Sequence, residues 1–510
     1  MPNPVLTPVL SAAMPRKSLR SGAASAGIAV PAAPSSALIS AFAVALITGF
    51  LMISSDQFRH WYVLPVSVCG ILTGADAVDW LRGKLDVYDP AGILGLIGTH
   101  FFYIAPLLHV RWGMYIADVA PPPDWRDWLG AMAVLNVMGL IVYRLCRASS
   151  EGGRVHQGST YWEIDRSVIQ LISPVLLFVA AVAQFLVYRQ FGGVDGYMNA
   201  AASGTNPFGG MGWIFMISES FPIVAAIYVI TIARGRDWNW PWIIAALISL
   251  VAIQTLFGGL RGSRSQTISA LFWVVGCVHF FIRPVSRTIV AVGCVFLMVF
   301  MYFYGFYKAV GADAVQAFNG ADERAQLSQR TGRTLESALL GDLGRADVQA
   351  YVLYRIRNDA ADVRYAWGRT YVAALSLIIP RSILPSRPDT ILREGTEIQS
   401  GPGTYVPEVW WSTRVYGIGG EAMLNFGAAG VPVAYGILGL LLGRFRRAIR
   451  SLSPGDARLL LVPFGVYLSI TALGGDSDNF VFGAVKDGLI PALLIWIAAN
   501  KRPRAFAAMK

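Results

Sequence analysis

Charge is scarce in this chain. Asp, Glu, Lys and Arg make up 14% of its 510 residues, against about 25% in soluble domains. Hydrophobic residues reach 55%, and mean hydropathy is +0.51. A soluble globule of this composition could not cover itself with polar surface, so the chain reads as an integral membrane protein. Cysteine is almost missing too. Cys69, Cys146, Cys277 and Cys294 each lie in or at the end of an apolar segment. None forms a CxxC pair and no His stands at ligand spacing, so they read as small packing residues, with no disulfide or zinc. Walker A, GxSxG and HExxH motifs are absent, and no metal or other cofactor is expected. The net charge of +11 lies beside apolar runs and is not interleaved with aromatics, so no nucleic-acid partner is expected.

Apolar sequence of bilayer length is abundant. A helix needs roughly 20 residues to cross the hydrocarbon core. About twelve stretches qualify: 37–54, 62–78, 91–110, 129–146, 168–187, 211–233, 240–258, 265–282, 287–306, 422–443, 458–473 and 481–499. The leading segment, 1–36, is rich in Ala, Ser and Pro and carries Arg16, Lys17 and Arg20. It reads as a disordered cytoplasmic tail before an uncleaved first span. With that tail inside, alternation places "YRLCRASSEGGRVH", "ARGRDW", "RPVSR", "GRFRRAIR" and "KRPR" inside. The short outside segments are poor in Lys and Arg, which agrees with the positive-inside rule. The expected fold is an all-α polytopic membrane protein. Nine helices occupy 37–306, a large outer loop 307–420, three further helices 421–499, and a basic cytoplasmic tail 500–510. No internal repeat is visible.

From Lys308 to Gly420 the loop counts 113 residues, a length that is usually functional or disordered. It is not of low complexity. "TLESALLGDLGRADVQAYVLYRIR" has apolar residues at helical spacing. "TYVAALSLIIPRSILP" is broken by Pro380 and Pro385 and suits a surface-lying or re-entrant piece. The loop reads as a folded, mostly helical cap.

Chemistry points first to "FGGLRGSRSQTISALFWVV", which sets Arg261 and Arg264 between two apolar runs. Arginine at the bilayer centre costs roughly 2.5–3.5 kcal/mol or more. Snorkelling to headgroups is one account. The other is a phosphate site, built from glycines, a helix N-terminus near Ser265 and two forked guanidiniums. The loop adds Arg345, Arg355, Arg357, Arg364, Arg369, Arg381, Arg387, Arg393 and Arg414, with Lys308 alone at its edge. Arg suits bidentate anion binding, although GC-rich coding also enriches it. Arg381 and Arg414 stand closest to apolar segments. Further on, Glu421 and Asn425 share a helix face. Glu421 could be a general base with a raised pKa, an interhelical hydrogen-bond partner, or a partner for an arginine. Trp410, Trp411 and Tyr416 suit an interfacial belt or a sugar-stacking platform. Asp476 and Asp478 form a DxD, a weak metal signal. Asp76 and Asp79 fall on the cytoplasmic side, and His100, His109 and His279 read as packing residues.

Four stretches resemble the bacterial O-antigen polymerases of the Wzy type, the oligosaccharide repeat-unit polymerases. "GGLRGSRSQTISALF" is similar to the family's G-S-R-G-like element. "GRTYVAALSLIIPRSILPSRP" looks like its Pro-Arg element. "RVYGIGGEAMLNFGAAGVPVAYGILG" resembles its Glu-x-x-x-Asn-Phe-Gly element, and "LDVYDPAGILGLIGTHFFYIAPL" its early Asp-Pro. Ser265 stands where the family often has Gly, and Met423 where it often has Tyr. The resemblance implies a GT-C-like bundle in the bacterial inner membrane, with both termini cytoplasmic and a periplasmic active site. It implies a glycosyltransferase that moves a growing chain from one undecaprenyl-pyrophosphate lipid onto a sugar hydroxyl of the next, without a metal. The lipid-linked glycan, as donor and acceptor, and the bilayer are the implied partners, with a chain-length regulator and a flippase nearby. On this resemblance Arg261 and Arg264 hold the leaving pyrophosphate and Glu421 is the base or orients an arginine. Arg381, Arg414, Arg369, Tyr416 and Asn425 contact substrate. Alternatives are an O-antigen ligase or another lipid-linked glycosyltransferase, separable by its acceptor, and a flippase or other transporter. The long cap and a shortage of mid-span charge argue against a transporter.

Overall fold

A computed structural model describes residues 34–116, 119–153, 160–203, 207–236, 238–261, 264–359, 363–380, 383–406, 409 and 414–503. Nearly all of the N-terminal tail, the last residues of the C-terminal tail, Gly262, Ser263, Arg381, Trp410 and Trp411 lie outside the described residues. Ser36–Lys510 forms one compact unit.

The long helices, in chain order, begin with α1 (Ser36–Ser54), α2 (Val63–Leu81), α3 (Pro90–Trp112), α4 (Trp125–Glu151) and α5 (Arg166–Gln190). They continue with α6 (Gly212–Ala233), α7 (Trp240–Phe257), α8 (Arg264–Phe281) and α9 (Arg287–Val310). The loop then folds α10 (Ala346–Asn358), α11 (Arg369–Ser376) and α12 (Ile391–Ser400). The chain closes with α13 (Gly417–Phe426), α14 (Gly430–Ser451), α15 (Val462–Gly474) and α16 (Ser477–Ala498). Among the described residues nine helices, α1–α7, α9 and α16, are long and apolar enough to cross a membrane. The protein is a multi-pass membrane protein. α9 shows why a bilayer is required: Val292, Val295 and Phe296 are more than half exposed along its flank, and water would not tolerate so large an apolar face.

The other three expected spans are also helical, but differently built. α8 starts on Arg264, and α15 has 13 residues behind a single 3-10 turn, Ala457–Leu460. The stretch expected as one span over 422–443 is broken. α13 stops at Phe426 and Gly427 takes φ +69°, a left-handed conformation that suits a residue without Cβ. Glu421 and Asn425 therefore ride on a separate ten-residue helix.

Helix starts follow local chemistry. Asp89 caps α3 by accepting from the Ala91 amide, with Pro90 in the first turn. Asp165, Asn239 and Ser286 cap α5, α7 and α9 in the same way. At the end of the bundle where α1 begins, here the near end, Arg147 of α4 grips Asp76 of α2 at 2.9 and 3.0 Å. Arg446 of α14 holds Asp89 at 2.8 Å and also reaches Glu151. A two-stranded antiparallel ladder, Thr160–Ile164 against Ala499–Pro503, closes the same end. At the far end α10 is buried from Ala346 to Leu353 and packs beneath α13.

α4 and α14 pack along a line of glycines, Gly436, Gly439 and Gly443, the small-residue spacing that brings backbones together in membranes. A Cβ on Gly439 would run into the Tyr143 carbonyl oxygen, and nothing lies near Gly293 on α9. Gly439→Ala should therefore destabilise by about 1–3 kcal/mol, read as a lower melting temperature in detergent. Gly293→Ala should melt at or above wild type.

Candidate functional site at the far end

Arg261 and Arg264 lie three residues apart at the turn between α7 and α8, and they go to different partners. Arg261 pairs with Glu219 Oε1 at 2.9 Å and lies 4.2 Å over the Phe215 ring. Glu219 also meets Lys486 Nζ and the Gln266 amide, and Lys486 donates to Gln266 Oε1 at 3.0 Å. Glu219 and Lys486 are each 5% exposed. With Asp487 4.0 Å from Lys486, two cations and two carboxylates balance inside the bundle. Buried charge of this kind persists only when paired. Arg261 is thus committed to an internal network, which departs from the expectation of two guanidiniums on one ligand.

Arg264 opens α8 and forks onto Asp342, with Nη1–Oδ2 at 2.5 Å and Nη2–Oδ1 at 3.0 Å. Arg333 takes the same carboxylate, Nη2–Oδ2 2.6 Å, and donates to the Met301 carbonyl at 3.2 Å. Lys308, near the end of α9, is within electrostatic reach of Arg264, Arg333 and Asp342. Among the described residues three cations face one carboxylate here, a surplus of positive charge. Arg345 carries the line onward: its Nε donates to the Gly474 carbonyl at 2.9 Å and its Nη1 to the Asp342 carbonyl at 3.1 Å. Burial disfavours its charge, while Asp476, Asp347 and Asp342 favour it.

Just past Gly474 lies a buried pair of acids. Glu421 accepts from the Ser477 amide at 2.6 Å, from Ser477 Oγ at 2.5 Å and from Thr370 Oγ1 at 2.7 Å. Asp476 Oδ1 accepts from the Tyr416 and Gly417 amides, both at 2.9 Å. They are 2% and 3% exposed. Burial raises the Glu421 pKa above the usual carboxylate range, although its hydrogen bonds pull the other way. Burial and the neighbouring Glu421 charge push Asp476 well above its ordinary value. A close, dry pair of carboxyls holds a proton readily. Of the roles open to Glu421, the interhelical hydrogen bond is present: it accepts from Thr370 and Ser477, its hydrogen-bond partners among the described residues.

Asn425 donates to Thr370 Oγ1 at 2.7 Å and accepts from the Gly368 amide at 2.8 Å, which pins the loop to α13. Arg369 is drawn sideways to Glu394 and the Asp389 carbonyl. Tyr416 is fully buried, its hydroxyl donating to the Gly395 carbonyl at 2.7 Å, so it is no exposed platform. Arg414 is partly buried. Glu219, Lys486, Arg333 and Asp342 escaped the sequence reading as site residues. Glu219 and Lys486 had a legible signal, a charge inside an apolar run. Arg333 and Asp342 had none, since only folding brings them to Arg264.

Protein-family models, curated proteins and solved structures were compared with the chain, and none matches it.

Because the native Glu421 carboxyl holds its proton more tightly than the unfolded chain does, its contribution to stability is complete below the unfolded pKa. It is lost as pH rises through the raised native pKa. Glu421→Gln carries no charge there. Its melting temperature in detergent, relative to wild type, should climb as pH rises above the unfolded glutamate pKa of about 4.3. A flat difference would mean that the wild-type carboxyl is not raised.

Proposed function

We propose that this protein is a polymerase of lipid-linked oligosaccharides. It would join undecaprenyl-pyrophosphate-linked repeat units at the periplasmic face of a bacterial inner membrane, with twelve helices spanning and the long loop as a periplasmic cap. One observation carries the reading. At the far end, Arg264 and Arg333 share the Asp342 carboxylate with Lys308 in electrostatic reach, and Arg345 links this cluster to the segment beside Glu421, a buried carboxyl of raised proton affinity. A lipid diphosphate needs the first, and activation of a sugar hydroxyl needs the second.

In this reading Arg264 and Arg333 hold the donor diphosphate and stabilise the charge it takes on leaving. The acceptor hydroxyl passes its proton to Ser477 Oγ, whose own proton moves to Glu421. The sugar oxygen bonds to the donor's anomeric carbon as the carbon–oxygen bond to the diphosphate breaks. Arg261 acts from its paired network as a support for the α7–α8 turn. An apolar cavity of about 190 Å³ between α6, α7 and α8, lined by Val229, Ala233, Ile243 and Ile282 toward the near end, suits the distal part of a prenyl chain. Glu219, Lys486 and Asp487 are mid-bundle charges of the kind a transporter would carry. Their mutual neutralisation favours a strut over a conduction path.

A strain lacking the gene should accumulate single repeat units on the final acceptor, read on a glycan gel. Arg264→Ala and Arg333→Ala, inserted at wild-type levels, should lose about 100-fold or more in polymerisation rate. Wild-type polymerisation by Arg264→Ala would end this reading. Full-length polymer left on the carrier lipid would point to a ligase, and repeat units trapped inside the cell to a flippase.

A further inference from the structure

Two non-glycine residues among those described have positive φ, Asp124 and Trp367, each at +50°. Aspartate tolerates the left-handed region through its short polar side chain; a bulky indole is a true outlier there. The surroundings impose this conformation on Trp367. The Trp367 amide donates to the Asn425 carbonyl at 3.2 Å, Ala366 to the Leu424 carbonyl at 3.0 Å, and Gly368 to Asn425 Oδ1 at 2.8 Å. The structure thus spends backbone strain on a side chain that gains nothing from burial, since Trp367 is 75% exposed. Strain of this sort gathers where a side chain must be presented to a ligand.

Around the indole lie more rings. Tyr365 stands edge-on at 5.8 Å and Phe426 at 6.4 Å, and Tyr371 stacks on Phe426 at 6.3 Å. Tyr365 and Phe426 are themselves exposed. Arg364, on the same segment, is exposed as well. Beneath this shelf the polar line is short: Asn425 donates to Thr370, and Thr370 to Glu421, each at 2.7 Å. An aromatic shelf with a guanidinium on its segment, tied to a buried acid, fits a pyranose ring. Such a ring presents one face of C–H bonds to stack on the indole and a rim of hydroxyls to hydrogen-bond. A lipid contact would need neither a left-handed backbone nor a link to Glu421. The aliphatic stripe of α11, Val372 and Leu375, already offers lipid a surface.

We propose that Trp367, flanked by Tyr365 and Phe426, seats a sugar ring of the glycan substrate next to Glu421. This rests on the polymerase reading above. The test complements a gene-deletion strain with wild type, Trp367→Gly, Trp367→Leu and Trp367→Phe, scoring polymer length by gel, protein level by immunoblot and melting temperature in detergent. Trp367→Gly relieves the strain, so it should melt no lower than wild type and yet lose about tenfold in polymerisation, the scale of one ring contact. Trp367→Leu should lose as much, and Trp367→Phe should recover part of the loss.

Wild-type polymer from Trp367→Gly or Trp367→Leu overturns the seat. Rescue by Leu but not Gly overturns it in favour of a lipid contact. A fall in melting temperature that accounts for the Gly loss, with Leu unimpaired, assigns Trp367 a structural role instead. If the deletion strain itself makes normal polymer, the polymerase reading fails and the sugar seat falls with it. If deletion abolishes polymer while every Trp367 variant behaves as wild type, only the seat falls.

Discussion

A charge inside a bilayer must bring its counter-charge with it, and the whole architecture of this protein answers to that constraint. At the near end Asp76 with Arg147, and Asp89 and Glu151 with Arg446, tie α2, α3, α4 and α14 together. Toward the far end Glu219 joins α6 to α8 and α16 through Gln266 and Lys486. Such pairs are weak evidence for stability in themselves, because desolvation offsets their attraction. Removing one partner is costly, because the other is left buried and bare. They therefore act as keys for the register of helices whose apolar surfaces alone would slide.

The surplus charge appears where the rule is relaxed, at the far end. Among the described residues, Asp342 is the carboxylate that Arg264 and Arg333 grip and that lies in electrostatic reach of Lys308. The long loop is fastened at this place by helices that follow it in sequence. Asn425 of α13 holds Gly368, Glu421 of α13 reaches Thr370 and Ser477, and Asp476 holds the Tyr416 and Gly417 amides. Residues that look catalytic in a linear reading thus also position the loop.

Much of this was legible. Bilayer-length apolar runs are a property of short windows, and each of the twelve expected stretches is helical, nine with full spanning character among the described residues. The pairing of Glu421 with Asn425 on one helix face followed from i, i+4 spacing alone. The break at Gly427 was harder to see, since glycines are common in membrane helices and only the backbone reveals which one has turned left-handed. Tyr416 looked like a surface aromatic because its neighbours in sequence are aromatic. Its burial depends on Gly395 and Gln399, which lie on another helix.

The sequence by itself determined the solvent this chain folds in, the length and approximate place of its helices, and the presence of arginines where apolar runs meet. Those follow from local transfer energies and periodicity. Only the tertiary structure decided which arginine faces which acid. Arg261 and Arg264 are three residues apart, yet one pairs with Glu219, which Lys486 also holds, and the other shares Asp342 with Arg333. Coulomb attraction in a low dielectric depends on distance in space, and the chain does not record those distances until it is folded.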